Sequence, residues 1–141
     1  MITISSPEEE QAAAAATSRI LIVDDESAMQ ALATGIVKRL GFDSAIASSG
    51  EQAVEIYKAA LDAGQRFDVV VMDLALPGGI SGLEATLAIK QHDPEAKVIV
   101  SSGYLEQQAR GVAMQHGFAG MLPKPYTADR LQSELRWVLK N

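Results

Sequence analysis

Three carboxylates, a hydroxyl and an ammonium group lie at or just beyond the ends of short apolar runs in this sequence. They belong to Asp24, Asp25, Asp73, Ser102 and Lys124. In an open parallel sheet, ligands bind beyond the carboxyl ends of the strands. If each apolar run is a strand of such a sheet, the five side chains converge at one edge of it.

Clustered carboxylates point to a bound cation. They repel one another and raise each other's pKa values unless a positive charge lies between them. Mg²⁺ prefers oxygen ligands and typically takes one or two protein carboxylates together with water and phosphate oxygens. One carboxylate then remains as a nucleophile, and aspartate is a covalent acceptor of phosphoryl groups. In this interpretation Asp73 accepts the phosphoryl group, while Lys124 and the ion neutralise its oxygens and Ser102 donates a hydrogen bond.

Each of these residues also has an ordinary structural explanation. Asp24 or Asp25 alone would be a turn or helix cap, and a strand-ending Asp73 is often a cap as well. A single Lys124 is nearly always a surface lysine, and Ser102 before a glycine would be a turn. The phosphoryl-transfer hypothesis is favoured because all of them fall at successive strand ends.

Short β-branched runs alternate with helical patterns from residue 19 onward, which is typical of an α/β protein with a doubly wound parallel sheet. The predicted strands are 20–23, 43–47, 69–72, 98–100 and 118–122. The predicted helices are 27–40, 49–61, 82–91, 105–116 and a last helix capped by Thr127. Ser49 and Gln52 predict a capping box, and Leu32 and Leu87 are among the apolar residues whose spacing predicts the first and third helices. Trp137 is placed on the last helix, either in packing, which is preferred, or as part of a partner surface.

Composition limits the function classes. Residues 1–18 combine a Ser-Ser-Pro segment, three glutamates and five alanines, and are interpreted as a flexible tail or linker before a single domain over 19–141. A net charge of -6 argues against direct nucleic-acid binding, which depends on clustered Lys and Arg. No apolar run is long enough to cross a membrane. The absence of cysteine suits a reducing cytoplasm, and cytoplasmic localisation is expected.

Four motifs in this order resemble the receiver domain of response regulators in two-component signalling. They are Asp24-Asp25-Glu26 after the first strand, residues 70–77 around Asp73, residues 98–103 around Ser102, and Lys124-Pro125-Tyr126. The resemblance covers about residues 19–140. It implies a flavodoxin-like (βα)5 fold with a five-stranded parallel sheet in the order 2-1-3-4-5.

The same resemblance implies a role for each site residue. Asp73 corresponds to the phosphoacceptor, and Lys124 to the phosphate-pairing lysine, with a cis peptide bond to Pro125. Asp25 corresponds to the main ligand of Mg²⁺, for which Mn²⁺ is the alternative ion, with Asp24 binding through water or assisting. Asp73 and the backbone carbonyl of Ala75 complete the protein ligands. Ser102, which lies 22 residues before Lys124, corresponds to the switch hydroxyl.

Two features depart from the usual receiver pattern. Met121 stands where receivers commonly carry a switch aromatic residue, three positions before the lysine. The loop over residues 77–82 is one residue longer than the commonest form. This loop and the serine- and proline-containing motifs are similar to receivers at the C-terminus of hybrid histidine kinases.

The leading hypothesis is a receiver without an output domain, either stand-alone or excised from a longer protein. A sensor histidine kinase or a histidine phosphotransfer protein would be its phosphoryl partner, and it could also relay the group onward. Its output would be an altered surface, containing Met121 and Trp137, that binds a downstream protein. An aspartate-nucleophile phosphatase is disfavoured because Ala75 replaces the expected general acid. A pseudo-receiver is disfavoured because the acidic residues and Lys124 are present, and a turnover enzyme on free substrates is not expected.

Overall fold

A computed structural model describes residues 18–103 and 113–140 of the chain. Its centre is a parallel sheet of five strands in the order β2-β1-β3-β4-β5, which confirms the predicted topology. The strands are β1 (Arg19–Val23), β2 (Asp43–Ala47), β3 (Val69–Asp73), β4 (Val98–Ser102) and β5 (Gly120–Pro123). Strands β3 and β4 are buried along their whole length, and the uniformly apolar run 69–72 predicted this central position for β3.

Four helices are complete within the described residues. They are α1 (Ser27–Arg39), α2 (Gly50–Asp62), α3 (Gly82–His92) and α4 (Ala128–Lys140). Residues 113–115 are also helical. Residues 105–112 of the helix predicted over 105–116, and residues 1–17 of the tail predicted over 1–18, lie outside the described residues.

Each face of the sheet carries its own hydrophobic core. On one face, α2 and α3 contribute Ala53, Tyr57, Ala85 and Ile89. On the other face, α1 and α4 contribute Ala33, Ile36, Val37, Leu131, Leu135 and Val138. Successive strand residues alternate between the two cores, so both faces of the sheet are covered and the strand ends are fixed in register. None of the helices in the described part of the chain is long and apolar enough to span a membrane.

Helix beginnings follow the sequence signals with one correction. Ser49 accepts a hydrogen bond from the Gln52 amide, but the Gln52 side chain bonds to the Ser48 amide instead of the Ser49 amide. The predicted capping box at Ser49 is therefore only half formed. A complete box occurs at α3, where Ser81 and Glu84 bond reciprocally.

Three apolar side chains on the helices are exposed. Leu32 is 44%, Leu87 51% and Trp137 43% exposed. Helical spacing placed Leu32 and Leu87 on α1 and α3 without showing how much of each helix is covered, and the exposure of Trp137 agrees with the partner surface better than with the preferred packing. Met121 differs in the opposite direction: it was assigned to an output surface, yet it is 7% exposed and belongs to the core beside α2 and α3.

Candidate functional site

The carboxylates of Asp24, Asp25 and Asp73 come together at the carboxyl ends of β1 and β3. One oxygen from each lies within 4.8 Å of the others. These ends are adjacent because β1 pairs with β3 in register, with Val23 opposite Met72. Asp24 and Asp73 are each 3% exposed, whereas Asp25 is exposed. Two largely desolvated negative charges are thus held beside a third that faces solvent.

Lys124 supplies the positive charge of this cluster. Its Nζ donates hydrogen bonds to Asp24 Oδ2 at 2.7 Å and to Asp73 Oδ2 at 3.1 Å. The backbone amide of Lys124 donates to the carbonyl of Ser102, so β5 delivers the side chain from the far side of β4. Burial alone would lower the pKa of Lys124, but its hydrogen bonds to the two aspartates raise it overall. The lysine is therefore charged at neutral pH.

The three carboxylates differ in the hydrogen bonds that they accept from the protein backbone. Asp73 Oδ1 accepts the backbone amide of Ala75 at 3.0 Å, and Asp24 Oδ1 accepts that of Glu26 at 2.9 Å. Asp25 has no hydrogen-bond partner among the described residues, and neither does the carbonyl of Ala75. Asp24 and Asp73 are thus held in place by the protein, while oxygens of Asp25 and Ala75 remain available to a ligand.

These residues fit a magnesium ion. Three carboxylates and one ammonium leave the cluster with two excess negative charges, the charge that one divalent cation balances. The donors are all oxygens, which suits a hard cation, and two of them are fixed by hydrogen bonds. The exposed position of Asp25 leaves that side open to water and phosphate oxygens, which Mg²⁺ usually keeps among its ligands.

Two serines end β4 at this edge of the sheet. Ser102, predicted to contact the phosphoryl group, is 4% exposed. Ser101, which had no predicted role, pairs in register with Asp73 and is 2% exposed. Its Oγ has no hydrogen-bond partner among the described residues. The structure therefore places both serines at the end of the strand next to the one that carries Asp73.

Sequence reasoning missed one residue beside the cluster and one that binds the loop following Asp73. Tyr126 is 6% exposed; burial, together with the negative charge of Asp24, raises its pKa to about 12. Glu51 on α2 accepts a hydrogen bond from Ile80 in the loop that follows Asp73. Tyr126 was visible only as part of the Lys-Pro-Tyr motif, and Glu51 carries no local signal because its partner is 29 residues away. The peptide bond between Lys124 and Pro125 is cis, as the resemblance implied.

Comparison with curated proteins identifies relatives of two kinds. The chain is 38% identical over 117 residues to the chemotaxis protein CheY of Bacillus subtilis, covering 82% of this chain and 92% of that protein. It is 34% identical over 120 residues to the autoinducer 1 sensor kinase/phosphatase LuxN of Vibrio campbellii. That match covers 84% of this chain but only 13% of LuxN.

Solved structures and a family profile agree with these relatives. A response regulator receiver domain from Clostridium thermocellum superposes with a TM-score of 0.75 at 27% identity, covering 87% of this chain and 94% of the other. A CheX-CheY-BeF3-Mg²⁺ complex from Borrelia burgdorferi gives 0.75 at 27% identity, with 87% of each chain covered. The profile of the response regulator receiver domain matches residues 20–136. This chain therefore belongs to the receiver domain family of two-component response regulators.

Proposed function

We propose that Asp73 is the phosphoacceptor of this receiver domain and takes a phosphoryl group from a phosphohistidine of a partner protein. The observation that carries the proposal is the pairing of buried Asp73 with Lys124 next to two further carboxylates. A carboxylate oxygen of Asp73 attacks phosphorus, and the P–N bond of the donor breaks. The imidazole leaves with the electron pair and takes a proton from solvent.

The residues around Asp73 orient its carboxylate, bind the phosphoryl oxygens and hold the metal ion. The backbone amide of Ala75 orients the Asp73 carboxylate through Oδ1, which fixes the direction of attack. Lys124, held between Asp24 and Asp73, neutralises negative charge on the phosphoryl oxygens. The hydroxyl of Ser102 donates a hydrogen bond to one of these oxygens. Asp25, the Asp24 carboxylate and the Ala75 carbonyl would hold Mg²⁺, which supplies further neutralisation of charge when bound.

Partners follow from the chemistry of the acceptor. A carboxylate that makes an acyl phosphate needs a donor of high transfer potential, such as the phosphohistidine of a sensor histidine kinase or a histidine phosphotransfer protein. The likeness to LuxN, described as a sensor kinase/phosphatase, supports a kinase-linked role. The phosphorylated form would act by changing its contacts with a downstream protein. Receiver domains are generally not turnover enzymes, and no free substrate is proposed.

Small-molecule phosphorylation tests this proposal. The protein is incubated with acetyl phosphate, with and without Mg²⁺, and its intact mass is followed over time. The expected result is an adduct of one phosphoryl group that requires Mg²⁺ and is absent in Asp73→Asn. Asp129→Asn, which changes an exposed aspartate on α4, is the matched control and should behave as the wild type.

Beryllofluoride provides an independent readout because it mimics a phosphoryl group without forming a lasting bond. The Borrelia burgdorferi CheY structure that resembles this chain holds beryllofluoride and Mg²⁺. We expect the wild-type chain to bind beryllofluoride only with Mg²⁺. Absence of both the adduct and beryllofluoride binding at millimolar Mg²⁺ would overturn the proposal.

A further inference from the structure

The loop between β3 and α3 is fastened at both ends and at one point between them. At its start the Ala75 amide bonds to Asp73, and at its end Ser81 forms the capping box of α3. In between, the Ile80 amide donates to Glu51 Oε1 at 2.6 Å. Among the described residues, this is the one hydrogen bond that joins loop residues 75–80 to an element other than β3 and α3, which flank the loop.

Close packing surrounds the contact between Glu51 and the loop. A Cβ atom on Gly79 would overlap the Glu51 carboxylate, and a Cβ on Gly50 would lie 2.7 Å from Ile80 Cγ1. Gly78 and Gly79 have φ values of +66° and +58°, which L side chains rarely adopt. Because these two glycines allow the loop backbone many conformations, a contact with a residue outside the loop is needed to hold one of them.

The electrostatics of the contact agree with its geometry. The Ile80 amide holds the pKa of Glu51 below its usual range, so the carboxylate is charged at neutral pH. A hydrogen bond from an amide to a charged carboxylate is stronger than one between neutral groups. The contact is formed at the first turn of α2, an element that otherwise takes no part in the aspartate cluster.

We propose that Glu51 is a positioning residue for the phosphorylation site, which fastens the β3–α3 loop so that the Ala75 carbonyl stays where Mg²⁺ needs it. This inference rests on the proposed function, because it assigns Ala75 as a metal ligand. Glu51 itself touches neither the ion nor the phosphoryl group. Its effect should therefore appear in Mg²⁺ affinity, and the transfer rate should recover once Mg²⁺ is saturating.

Calorimetric titration of the full chain with Mg²⁺ tests this role. Glu51→Ala should weaken Mg²⁺ affinity by roughly threefold to tenfold, since interacting residues in one network couple with energies of that order. Glu51→Gln keeps an acceptor oxygen for the Ile80 amide and should stay within about twofold of the wild type. Glu55→Ala is the matched control: it removes an exposed negative charge one turn further along the same helix.

Two outcomes would overturn the inference. If Glu51→Ala binds Mg²⁺ as tightly as Glu55→Ala, the contact does not position the metal site. If Glu51→Gln is weakened as much as Glu51→Ala, charge rather than loop fastening is responsible. If the wild type itself binds no Mg²⁺ and takes no phosphoryl group, the proposed function fails instead, so the two failures are distinguishable.

A double-mutant cycle provides a second test that does not depend on a single variant. Gly79→Ala should weaken Mg²⁺ affinity because its methyl group would displace the Glu51 carboxylate. Glu51→Ala removes this overlap, so Gly79→Ala should weaken Mg²⁺ affinity by a smaller factor in the Glu51→Ala variant than in the wild type. Additive effects of the two substitutions would contradict the fastening role.

Discussion

Ser101 and Ser102 lie side by side at the end of β4, but we assign a function to only one of them. Ser102→Ala should reduce the yield or slow the rate of phosphorylation by acetyl phosphate, because a hydrogen bond to the phosphoryl oxygen is lost. Ser101→Ala should leave phosphorylation unchanged. Rates are compared by intact mass at saturating Mg²⁺. The opposite order of effects would transfer the role to Ser101, which pairs in register with Asp73.

Stability gives a separate check on Ser101. Its buried Oγ has no hydrogen-bond partner among the described residues, and a buried hydroxyl without a partner costs about 1–3 kcal/mol. Ser101→Ala should therefore leave the free energy of unfolding unchanged or raise it by up to about 1 kcal/mol in urea. A clear loss of stability would show that the hydroxyl is bonded in solution.

Replacement of Lys124 should change the affinity for Mg²⁺ and the rate of phosphoryl transfer in opposite directions. Lys124→Met removes the ammonium that bonds to Asp24 and Asp73 while keeping a similar length. Without that competing positive charge, Mg²⁺ should bind more tightly. Phosphorylation should nevertheless be much slower, because the phosphoryl oxygens lose a cationic partner.

Calorimetry and intact mass measure the two effects of Lys124→Met. The control is Lys58→Met, which changes an exposed lysine on α2 and should alter neither. Weaker Mg²⁺ binding in Lys124→Met would mean that the lysine organises the aspartates more than it competes with the ion.

Helices α2 and α3 are joined by a polar contact at the opposite end of the sheet from the aspartate cluster. Tyr57 Oη and Arg66 Nε each donate to Asp93 Oδ2 at 2.5 Å, and Asp93 is the C-cap of α3. Burial would raise the pKa of Asp93, but the hydrogen bonds from Tyr57 and Arg66 lower it below its ordinary value of 3.8. Burial, with the adjacent Asp93, raises the pKa of Tyr57 to about 12.

This contact predicts a pH dependence of stability. A carboxyl group with a lowered folded-state pKa stabilises the fold above its unfolded pKa, and the stabilisation is lost as pH falls through the folded value. Asp93→Asn should therefore reduce the free energy of unfolding at pH 7 by about 1–3 kcal/mol. The difference in the free energy of unfolding between Asp93→Asn and the wild type should become smaller below pH 3.8. Urea unfolding at a series of pH values measures this difference, and Asp62→Asn, which changes an exposed residue of α2, is the control. If the difference in the free energy of unfolding stayed constant down to pH 2, the carboxylate of Asp93 would not be its cause.

For the whole molecule, the alternation of strands and helices and the rim that carries the site could be predicted from local patterns, whereas the order of the strands was implied by the resemblance to receiver domains. The uniformly apolar run 69–72 predicts a central position for β3, and the carboxyl ends of all strands of a parallel sheet lie at the same rim. Asp24, Asp73 and Lys124 were predicted to meet for this reason, and they form hydrogen bonds in the structure.

Contacts between distant parts of the chain could not be predicted in the same way. Glu51 with Ile80 and Tyr57 with Asp93 are separated by 29 and 36 residues, and neither pair has a periodic or motif signal. The exposure of Leu32 and Leu87 also depends on how much of each helix the sheet covers, which helical spacing alone does not give. Tertiary packing decides these details after local patterns have fixed the elements.

Chemical mapping of the residue that carries the phosphoryl group tests the role of Asp73 directly. The wild-type chain is phosphorylated with acetyl phosphate and Mg²⁺, the acyl phosphate is reduced with borohydride to homoserine, and peptides are sequenced by mass spectrometry. Homoserine is expected at position 73 alone. Modification at Asp24 or Asp25 instead, or of no aspartate under conditions in which Mg²⁺ binds, would show that Asp73 is not the phosphoacceptor.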